Sequence, residues 1–557
     1  MMSVIENLMG VLVIYDAIIA GYGPTGAVAA NLLGDAGLNV LVVEPSLEIY
    51  DIPRAVHFDG EVMRIFQAMG LAEAAQAFSA QGQKLRFTNG RNWDLFEQDL
   101  TVVPRRHGWF NNHFFNQPRM EECLRSSLVK HPNVKVRLGW SVSSLSQADE
   151  GVTVQLVQAE LNRVTDEADQ QALATEVVQA HYLLGCDGAA SKIRAASDIA
   201  YEDLESDEPW LVCDLMLDER EDFDRSALQI CDPERPTTLV PCEGSHIRWE
   251  FMLNADDEFA DMEEETVVRN LMAPHLWRLS PSLTPSDGKL VRAKVYHFHA
   301  LLAETFQKNR VFLLGDSAHQ MPPFLGQGLC AGIRDAYNLS WKLRGVVRGD
   351  YSHEVLATYT SERRPHVQEL IHLAVAHGGV IQAKNPLKAL LRDCYLMLGR
   401  ALPWLVSFLK FGEETPIGPG LFATEERFVP DGVVGKLIPQ STMKLCGADE
   451  AEEAIWSDEL LGSDYTLVGF GVEPHDLLPE GLREPWLHTL HIGPNGWADE
   501  VAGNLTHWAD SHGIALALVR PDRQIFGVCL VAALDPRAEV RDILNSLRQQ
   551  LGRKDSD

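Results

Sequence analysis

The stretch from Tyr15 to Glu44 reads "YDAIIAGYGPTGAVAANLLGDAGLNVLVVE". An apolar run leads into a Gly-x-Gly-x-x-Gly turn, a segment rich in alanine and leucine follows, and a second apolar run ends in an acid. Strands of a parallel sheet are continuous apolar runs because both of their faces are buried. The stretch therefore predicts a strand, a glycine turn, a helix and a second strand, in the order of a dinucleotide-binding α/β unit.

The three glycines of this turn have different predicted roles. Gly21 permits the tight turn, Gly23 lets the backbone approach a pyrophosphate, and Gly26 lets the helix pack close to the strand. The helix opens at Pro24 and Thr25, where N–H groups and the positive end of the helix dipole face the phosphates. We expect these five residues to bind a dinucleotide, and the alternative is a turn with a structural role only.

The acid that ends the second strand is Glu44, 23 residues after Gly21. A carboxylate at this position accepts hydrogen bonds from a ribose diol. Because it would repel a 2′-phosphate, the expected ligand is FAD or NAD. The glycine fingerprint alone does not choose between them.

A second turn follows the apolar run in "HYLLGCDGAASKIR", residues His181 to Arg194. The run ends at Asp187 and Gly188, and Ser191 begins what is predicted to be a helix. We expect Asp187 and Gly188 to contact the cofactor. The alternative is an ordinary Asp-Gly turn between a strand and a helix, which is frequent.

A third turn lies far along the chain, in "RVFLLGDSAHQMPPFLGQGLCAGIRDAYNLSWKL", residues Arg310 to Leu343. An acid after a buried strand is well placed to bind ribityl or ribose hydroxyls. A helix N-terminus behind it suits the negative charge of a reduced flavin. From this segment we expect cofactor contacts by Gly315, Asp316, Pro323, Gly326, Gly328 and Leu329. With 290 residues between Gly26 and Asp316, the turns describe a long cofactor held at both ends, which favours FAD over NAD.

The composition limits the other possibilities. A chain of 557 residues predicts two or three domains, and a net charge of -31 argues against a nucleic-acid partner. The nine cysteines form no CxxC pair, so we expect neither a metal site nor a dithiol redox motif. Asp16 interrupts the apolar N-terminal stretch, which is too short to span a bilayer. We therefore expect a cytoplasmic protein with no membrane span.

The three motifs resemble those of the group A flavoprotein aromatic hydroxylases. The run "NQPRMEECL" is similar to a further element of that family, with Gln117, Glu121 and Leu124 in the matching places. The resemblance implies that Gln117 lies beside the flavin and that Arg54 lies near the FAD phosphates. The runs "PRAVHFDGEVMRIFQAMGL", "CDPERP", "RWEFML" and "VYHFHALLAETF" are most similar to the 3-(3-hydroxyphenyl)propanoate and 3-hydroxycinnamate hydroxylases. Cys330 departs from the asparagine that many members carry.

The resemblance implies a monooxygenase with tightly but non-covalently bound FAD. NADH or NADPH acts as a transient co-substrate, O2 adds to give a flavin hydroperoxide, and its distal oxygen converts a phenolic ring to a catechol. The expected substrate is a phenolic aromatic acid, either 3-(3-hydroxyphenyl)propanoate or 3-hydroxycinnamate. Alternatives are a hydroxylase of another phenol, such as resorcinol, 3-hydroxybenzoate or a polyketide-like aromatic, and a non-catalytic binding protein with the same fold.

Three residues are candidates for handling the substrate hydroxyl. Asp59 and Tyr296 match phenol hydroxylase residues in that role, and His57 lies two residues from Asp59. Each has a structural alternative: a helix N-cap for Asp59, a core aromatic for Tyr296 and a structural histidine for His57. A substrate carboxylate would also need an arginine partner. The arginine candidates, which the sequence does not rank, are Arg105, Arg106, Arg248 and Arg292.

The implied fold class is α/β, with a Rossmann-like FAD-binding domain of the glutathione reductase type, an inserted β-sheet substrate domain and a C-terminal thioredoxin-like domain. We expect the FAD-binding domain to be discontinuous, over residues 11–86, 116–197 and 298–370. The other expected units are a substrate domain at 87–115 and 198–297, a helical connector at 371–430, and the thioredoxin-like domain at 431–552. Without CxxC the last unit cannot exchange dithiols, so we expect a structural or homodimer-supporting role for it. Residues 162–171 are expected to form an exposed hairpin loop.

Overall fold

The computed structural model describes residues 14–158, 174–218, 223–402, 404–406, 415–423, 432–446, 454–493 and 496–553. Strand Ile14–Ala20, helix Pro24–Asp35 and strand Val40–Glu44 follow one another, and the two strands are parallel neighbours. This confirms the predicted strand, turn, helix and strand. The loop expected at 162–171, residues 11–13 and parts of the 371–430 connector lie outside the described residues.

The first sheet has eight strands, and its central strands are buried on both faces. Helix Pro24–Asp35 packs against helix Gly328–Val347 beside this sheet. Strands Gly151–Gln158 and Thr175–Gly185 are antiparallel neighbours, so the chain turns back between them. The strands are Ile14–Ala20, Val40–Glu44, Val134–Leu138, Trp140–Ala148, Gly151–Gln158, Thr175–Gly185, Gln307–Lys308 and Val311–Leu313.

The second sheet also has eight strands, which come from two separate parts of the chain. Strand Lys84–Asn89 belongs to it, so the domain boundary predicted at residue 86 falls within a strand. The boundary predicted at residue 298 also falls within a strand of this sheet, Lys289–Ala303. The strands are Lys84–Asn89, Asp94–Asp99, Tyr201–Met216, Ser226–Cys231, Thr237–Pro241, His246–Met252, Lys289–Ala303 and His319–Gln320.

The two faces of the second sheet have different neighbours because side chains alternate along each strand. Leu211, Cys213 and Trp249 are on the outer face, which packs against helices Phe259–Met262 and Glu265–Met272. Trp210 and Arg248 alternate with them and lie on the inner face. Arg248 reaches the backbone carbonyls at residues 53 and 54, so the inner face points at the first sheet's unit.

The third sheet is built by the C-terminal part of the chain. Strands Tyr465–Phe470 and Leu487–Ile492 are parallel, and strands Ile514–Val519 and Ile525–Leu530 are antiparallel to each other. Helix Pro536–Gln550 buries its apolar residues against the sheet. The other strands of this sheet are Thr442–Leu445, Ile455–Trp456 and Ala498–Glu500.

Helices and a small sheet connect these units. Strands His57–Phe58, Ser79–Gln81 and His113–Phe115 form a three-stranded sheet. None of the described helices has the length and apolarity needed to cross a bilayer. The longer remaining helices are Gly60–Ala68, Gln117–Ser126, Thr358–Ile381, Pro386–Ala401 and Asn504–Ser511.

Candidate active site

The three predicted turns meet at one edge of the first sheet. Strands Ile14–Ala20, Thr175–Gly185 and Val311–Leu313 are parallel neighbours whose carboxyl ends align. Their register pairs Ala20 with Gly185 and Gly185 with Leu313. Turns that are far apart in sequence therefore lie side by side.

A close contact joins the first and third turns directly. A Cβ added at Gly315 would lie 2.7 Å from Thr25 Oγ1, and one added at Gly332 would lie 2.4 Å from the same atom. The glycines at these positions thus let the helix that begins at Pro24 and the helix that begins at Gly328 approach each other. One elongated ligand can contact both helix N-termini.

The glycines of the first turn separate into two kinds. Gly21 has φ +105°, and a Cβ there would lie 2.2 Å from the carbonyl oxygen of Cys186. A Cβ at Gly26 would lie 2.1 Å from the carbonyl oxygen of Gly21. A Cβ at Gly23 would meet no atom within 4 Å, so the protein's own packing does not require glycine there. Open space beside a helix N-terminus with no side-chain cap fits a pyrophosphate.

Glu44 lies at the same turn, as its position at the end of the second strand predicts. Its Oε2 accepts a hydrogen bond from the backbone N–H of Tyr22 (2.8 Å), and its Oε1 accepts one from the backbone N–H of Ser46 (2.9 Å). Arg125 donates to the carbonyl oxygen of Tyr22 (2.8 Å) and covers its ring. Glu44 is therefore held beside the glycines of the first turn.

The second turn has a local structure of its own. Asp187 accepts hydrogen bonds from Ser191 Oγ (2.6 Å) and from the backbone N–H of Ile193 (3.0 Å). The hydroxyl of Tyr201 donates to the carbonyl oxygen of Asp316 (3.1 Å), and the guanidinium of Arg194 lies 4.0 Å from the centre of the Tyr201 ring. Tyr201 and Arg194 thus connect the second turn to the third.

Asp316 is exposed just after the carboxyl end of strand Val311–Leu313. Its side chain is accessible to solvent, yet surrounding protein raises the pKa of its carboxyl by desolvation, against the lowering effects of His319 and Arg54. No described residue donates a hydrogen bond to this carboxylate. A hydrogen-bond acceptor in this position fits the hydroxyl groups of a ribityl or ribose chain.

Arg54 lies near enough to Asp316 to lower the pKa of its carboxyl, and Gln117 fixes the Arg54 backbone. Gln117 Oε1 accepts from the N–H groups of Arg54 (2.8 Å) and Ala55 (2.7 Å), and Gln117 Nε2 donates to Glu121 (2.9 Å). Glu121 therefore orients the amide so that its oxygen faces the Arg54 segment. The Arg54 side chain is exposed and can meet a phosphate.

The third turn continues over the Gly-Gln-Gly segment. Pro323–Leu325 form one turn of 3-10 helix, and Gly326 follows with φ +62°. A Cβ at Gly326 would lie 2.7 Å from His57 Nδ1. Helix Gly328–Val347 then begins without a side-chain cap, so its first N–H groups are available to a ligand. Leu329, at its first turn, is half-buried.

Asp59 caps a helix and also forms an ion pair. Its Oδ1 accepts from the N–H of Val62 (3.1 Å), and its Oδ2 pairs with Arg334. Burial would raise the pKa of Asp59, but Arg334 and the Val62 N–H outweigh it and lower the pKa to about 2. The capping interpretation therefore has direct geometric support, and the carboxylate stays ionised at neutral pH.

His57 and Tyr296 differ in their surroundings. His57 is buried, with Nε2 2.9 Å from Asn112 Oδ1, and burial lowers its pKa, so the ring is neutral at pH 7. Tyr296 lies on the inner face of the second sheet, opposite Trp210, and is half-buried. The Arg292 guanidinium lies 5.7 Å from the centre of its ring.

A group of buried charged residues, the inner-face cluster, lies on the same side of the second sheet. Its members are Asp214, His246, Arg248, Glu250 and Arg292. Asp214 accepts from His246 Nε2 (2.7 Å) and Arg248 Nε (2.9 Å), and its Oδ2 lies 2.5 Å from Arg292 Nη2. Burial would raise the pKa of Asp214, but these cations outweigh it and hold the pKa well below its usual range.

The cluster is not balanced in charge. Burial opposes the charged form of His246, but Cys242 and Asp214 raise its pKa to about 9, so the ring is protonated at neutral pH. Burial raises the pKa of Glu250, and no described residue donates a hydrogen bond to it. Three positive groups, His246, Arg248 and Arg292, thus face the two carboxyl groups of Asp214 and Glu250. The cluster can accommodate one more negative charge.

The four arginine candidates are now distinguished. Arg248 uses its guanidinium on Asp214 and on the carbonyl oxygens of Pro53 and Arg54. Arg105 is exposed and stacks on Phe110. Arg106 is half-buried, and its carbonyl oxygen accepts from the Gln440 N–H of the C-terminal unit. Arg292 lies in the inner-face cluster, with Tyr296 beside it. Its Nη2 contacts Asp214 as an ion pair without hydrogen-bond geometry, and its buried Nε has no hydrogen-bond partner among the described residues.

Several residues of the site carry no signal in the sequence. Asp335 accepts from the N–H of Gly315 (3.0 Å) and from His319 (2.8 Å), and Gln327 bridges Asp59 and Arg334. Each lies inside a helix or turn, where its residue type alone is unremarkable. Only the approach of distant segments gives them these partners.

Comparison with known proteins agrees with this geometry. The family model described as "FAD binding domain" matches residues 14–374. The chain is 32% identical over 530 residues to a 3-(3-hydroxy-phenyl)propionate/3-hydroxycinnamic acid hydroxylase of Burkholderia cenocepacia (strain HI2424), covering 91% of this chain and 92% of the relative. It is also 32% identical to a probable NADH-specific resorcinol 4-hydroxylase of Rhodococcus jostii (strain RHA1), covering 93% and 92%.

Two solved structures share the fold. A flavin-dependent monooxygenase in complex with FAD and substrate superposes with a TM-score of 0.77 at 18% identity, covering 97% of this chain and 100% of the other. Aklavinone-11 hydroxylase with FAD and aklavinone superposes with a TM-score of 0.75 at 19% identity, covering 97% and 99%. The family match, the relatives and the cofactor cleft together show that this chain belongs to the FAD-dependent aromatic hydroxylases, which are flavoprotein monooxygenases.

Proposed function

We propose that this enzyme hydroxylates a phenolic aromatic acid, of the 3-(3-hydroxyphenyl)propanoate or 3-hydroxycinnamate type, to a catechol. NADH or NADPH and O2 are its co-substrates. The observation that supports an acid substrate is the excess of positive charge in the inner-face cluster. In this cluster, Arg292 Nε lacks a hydrogen-bond partner among the described residues. A carboxylate would supply both the missing negative charge and the missing acceptor.

The chain's own residues would hold the two reactants in place. When bound, FAD supplies the activation of O2 and the transfer of one oxygen atom to the ring. Arg54 and the first helix N-terminus would hold its phosphates, Asp316 its hydroxyl groups and the Gly328 helix its flavin end. We assign Glu44 to the ribose.

Tyr296 is the group that we propose to orient the substrate hydroxyl. It lies on the same face as Arg292, so one aromatic acid could contact both side chains. Asp59 and His57 are better suited to positioning: they hold Gln327 and the Gly326 turn. The aromatic contacts of Trp210 with Phe298 and Phe324 would keep water from the ring.

We also propose that the C-terminal unit is thioredoxin-like but has no redox activity. The order of its four central strands, Leu487–Ile492, Tyr465–Phe470, Ile514–Val519 and Ile525–Leu530, with one parallel and two antiparallel pairs, supports this assignment. Without a CxxC motif, its role is structural.

The test compares matched acid and neutral phenols. NAD(P)H oxidation, catechol formation and peroxide release are measured with 3-(3-hydroxyphenyl)propanoate, with the corresponding propanol, and with resorcinol. We expect the acid to have the highest kcat/KM with little peroxide. A higher kcat/KM for resorcinol or for the neutral alcohol would contradict the acid assignment while leaving the monooxygenase chemistry intact.

A further inference from the structure

Helix Pro386–Ala401 carries apolar residues on both of its sides. Its inner side, formed by Ala389, Arg392, Leu396 and Gly399, is buried. This side is fixed to the second sheet's unit, because Arg392 donates to the carbonyl oxygen of Cys231 (2.8 Å) and Asn89 donates to Asp393 (3.0 Å). Among the described residues, these two contacts fix the helix to the second sheet's unit through its inner side.

The opposite side is apolar and exposed. Leu387 is 66% exposed, Leu391 62% and Leu398 51%, and Cys394 lies between the last two. At 100° per residue, these four positions lie about half a turn away from the buried ones. We call them, with Leu390 and Met397 at their edge, the outer stripe. A helix that is apolar all round is normally covered on every side.

The outer stripe, together with two exposed apolar residues just past the helix end, is large enough to be an interface. Leu402, just past the helix end, is 40% exposed and Trp404 is 71% exposed. Together the exposed parts of these side chains come to roughly 800 Å², about what one partner contributes to a standard protein interface. Exposed apolar patches of this size mark interaction sites.

We propose that the outer stripe is covered by a second copy of this chain, in a two-fold symmetric dimer. A single stripe is complementary to itself when two helices pack antiparallel, as an isologous contact requires. The outer stripe itself contains no charged residue, so two copies can meet without burying like charges. A net charge of -31 opposes docking on an anionic membrane instead.

The position of the symmetry axis follows from the stripe. Cys394 lies midway between Leu387 and Leu402, so in an antiparallel pair the two copies of Cys394 come close to the axis. Cys446 is also exposed but belongs to the C-terminal unit. It serves as a matched control for cross-linking.

The experiment measures the mass of the full-length protein with FAD at about 10 µM, by light scattering and sedimentation. We expect a dimer, and we expect Leu391→Glu with Leu398→Glu to give a monomer that keeps its FAD and its activity. Leu534→Glu, at a fully exposed position outside the stripe, should remain a dimer. A monomeric wild type, or a dimer that survives the double substitution, would overturn the proposal.

A short bismaleimide cross-linker tests the position of the axis. We expect a cross-linked dimer that Cys394→Ser abolishes and Cys446→Ser leaves unchanged. Cross-linking through Cys446 alone would place the interface elsewhere and overturn the proposal. Sedimentation of monomers with phosphatidylcholine–phosphatidylglycerol vesicles would identify a membrane surface as the occupant instead, and would also overturn it.

Discussion

Two buried clusters of charged residues in this protein differ in their balance of positive and negative charge. The first, the docking cluster, joins helices Gly328–Val347 and Thr358–Ile381 to the C-terminal unit. Its members are Lys342, Glu362, Arg520 and Asp522, two positive and two negative groups. The second is the inner-face cluster, in which positive charge is in excess.

The difference lies in how completely the polar atoms are paired. Glu362 accepts from Lys342 (2.7 Å), from both terminal nitrogens of Arg520 (2.8 and 2.9 Å) and from Asn338 (2.8 Å). In the inner-face cluster, the buried Arg292 Nε has no hydrogen-bond partner among the described residues, and burial raises the pKa of Glu250. A balanced, fully bonded cluster fixes two units together, whereas an unbalanced one has capacity for a ligand.

The largest expected effect is on stability, from breaking the docking cluster. Arg520→Met leaves Glu362 and Asp522 buried with Lys342 as the one remaining cation of this cluster, and removing one partner of a buried pair costs about 3–5 kcal/mol. Thermal and denaturant unfolding measure the loss. Arg364→Met, which breaks a partly exposed pair with Glu202, should cost less than about 1 kcal/mol. Equal losses of unfolding free energy in Arg520→Met and Arg364→Met would contradict a stabilising role for the docking cluster.

The next effect is a dependence of stability on pH in the inner-face cluster. The folded pKa of His246, about 9, lies above its ordinary value of 6.5. Its contribution is therefore fully present below pH 6.5 and is lost as pH rises through about 9, by at most about 3 kcal/mol. Unfolding free energies from pH 6 to 10 should show this loss in the wild type but not in His246→Gln. If the unfolding free energies of the wild type and of His246→Gln change with pH in the same way, His246 is not protonated in the folded protein.

A smaller effect is expected on catalysis. Arg292→Met should lower kcat/KM for the phenolic acid by roughly 10- to 100-fold, since a charge-assisted contact is worth about 1.5–3 kcal/mol. The neutral propanol should be affected much less, and Arg105→Met should match the wild type with both substrates. Because Asp214 keeps two cations, Arg292→Met should cost less stability than Arg520→Met. An equal loss of kcat/KM with the acid and with the propanol would mean that Arg292 supports the fold and does not bind the carboxylate.

The smallest expected effect comes from two glycines of the first turn, of which Gly23 faces open space and Gly26 packs against backbone. Gly23→Ala adds a methyl group that meets no protein atom, so we expect unchanged stability of the FAD-free protein and about 10-fold weaker FAD binding. Gly26→Ala should destabilise the protein itself, because its Cβ would lie 2.1 Å from a backbone oxygen. Fluorescence titration with FAD and thermal unfolding distinguish the two. Unchanged FAD affinity in Gly23→Ala would contradict the pyrophosphate site.

The sequence predicted the parts of the site that depend on local chain geometry. The glycine turn after Ala20, the acid at Glu44 and the turns at Asp187 and Asp316 all follow strands, so their residue order reports their structure. The boundary predicted at residue 86 falls within strand Lys84–Asn89, because this strand finds its partner at Ser226–Cys231, which no local pattern indicates.

What the sequence by itself determined is the set of turns that meet at one edge of the first sheet, because backbone conformation and strand burial are encoded within a few residues. What only the tertiary structure decided is which charged side chains are already paired. Arg248 and Arg292 are both arginines in apolar strands, and they differ because distant carbonyl groups at residues 53 and 54 reach one and not the other. Pairing is a property of contacts between segments, so it appears only when those segments are brought together.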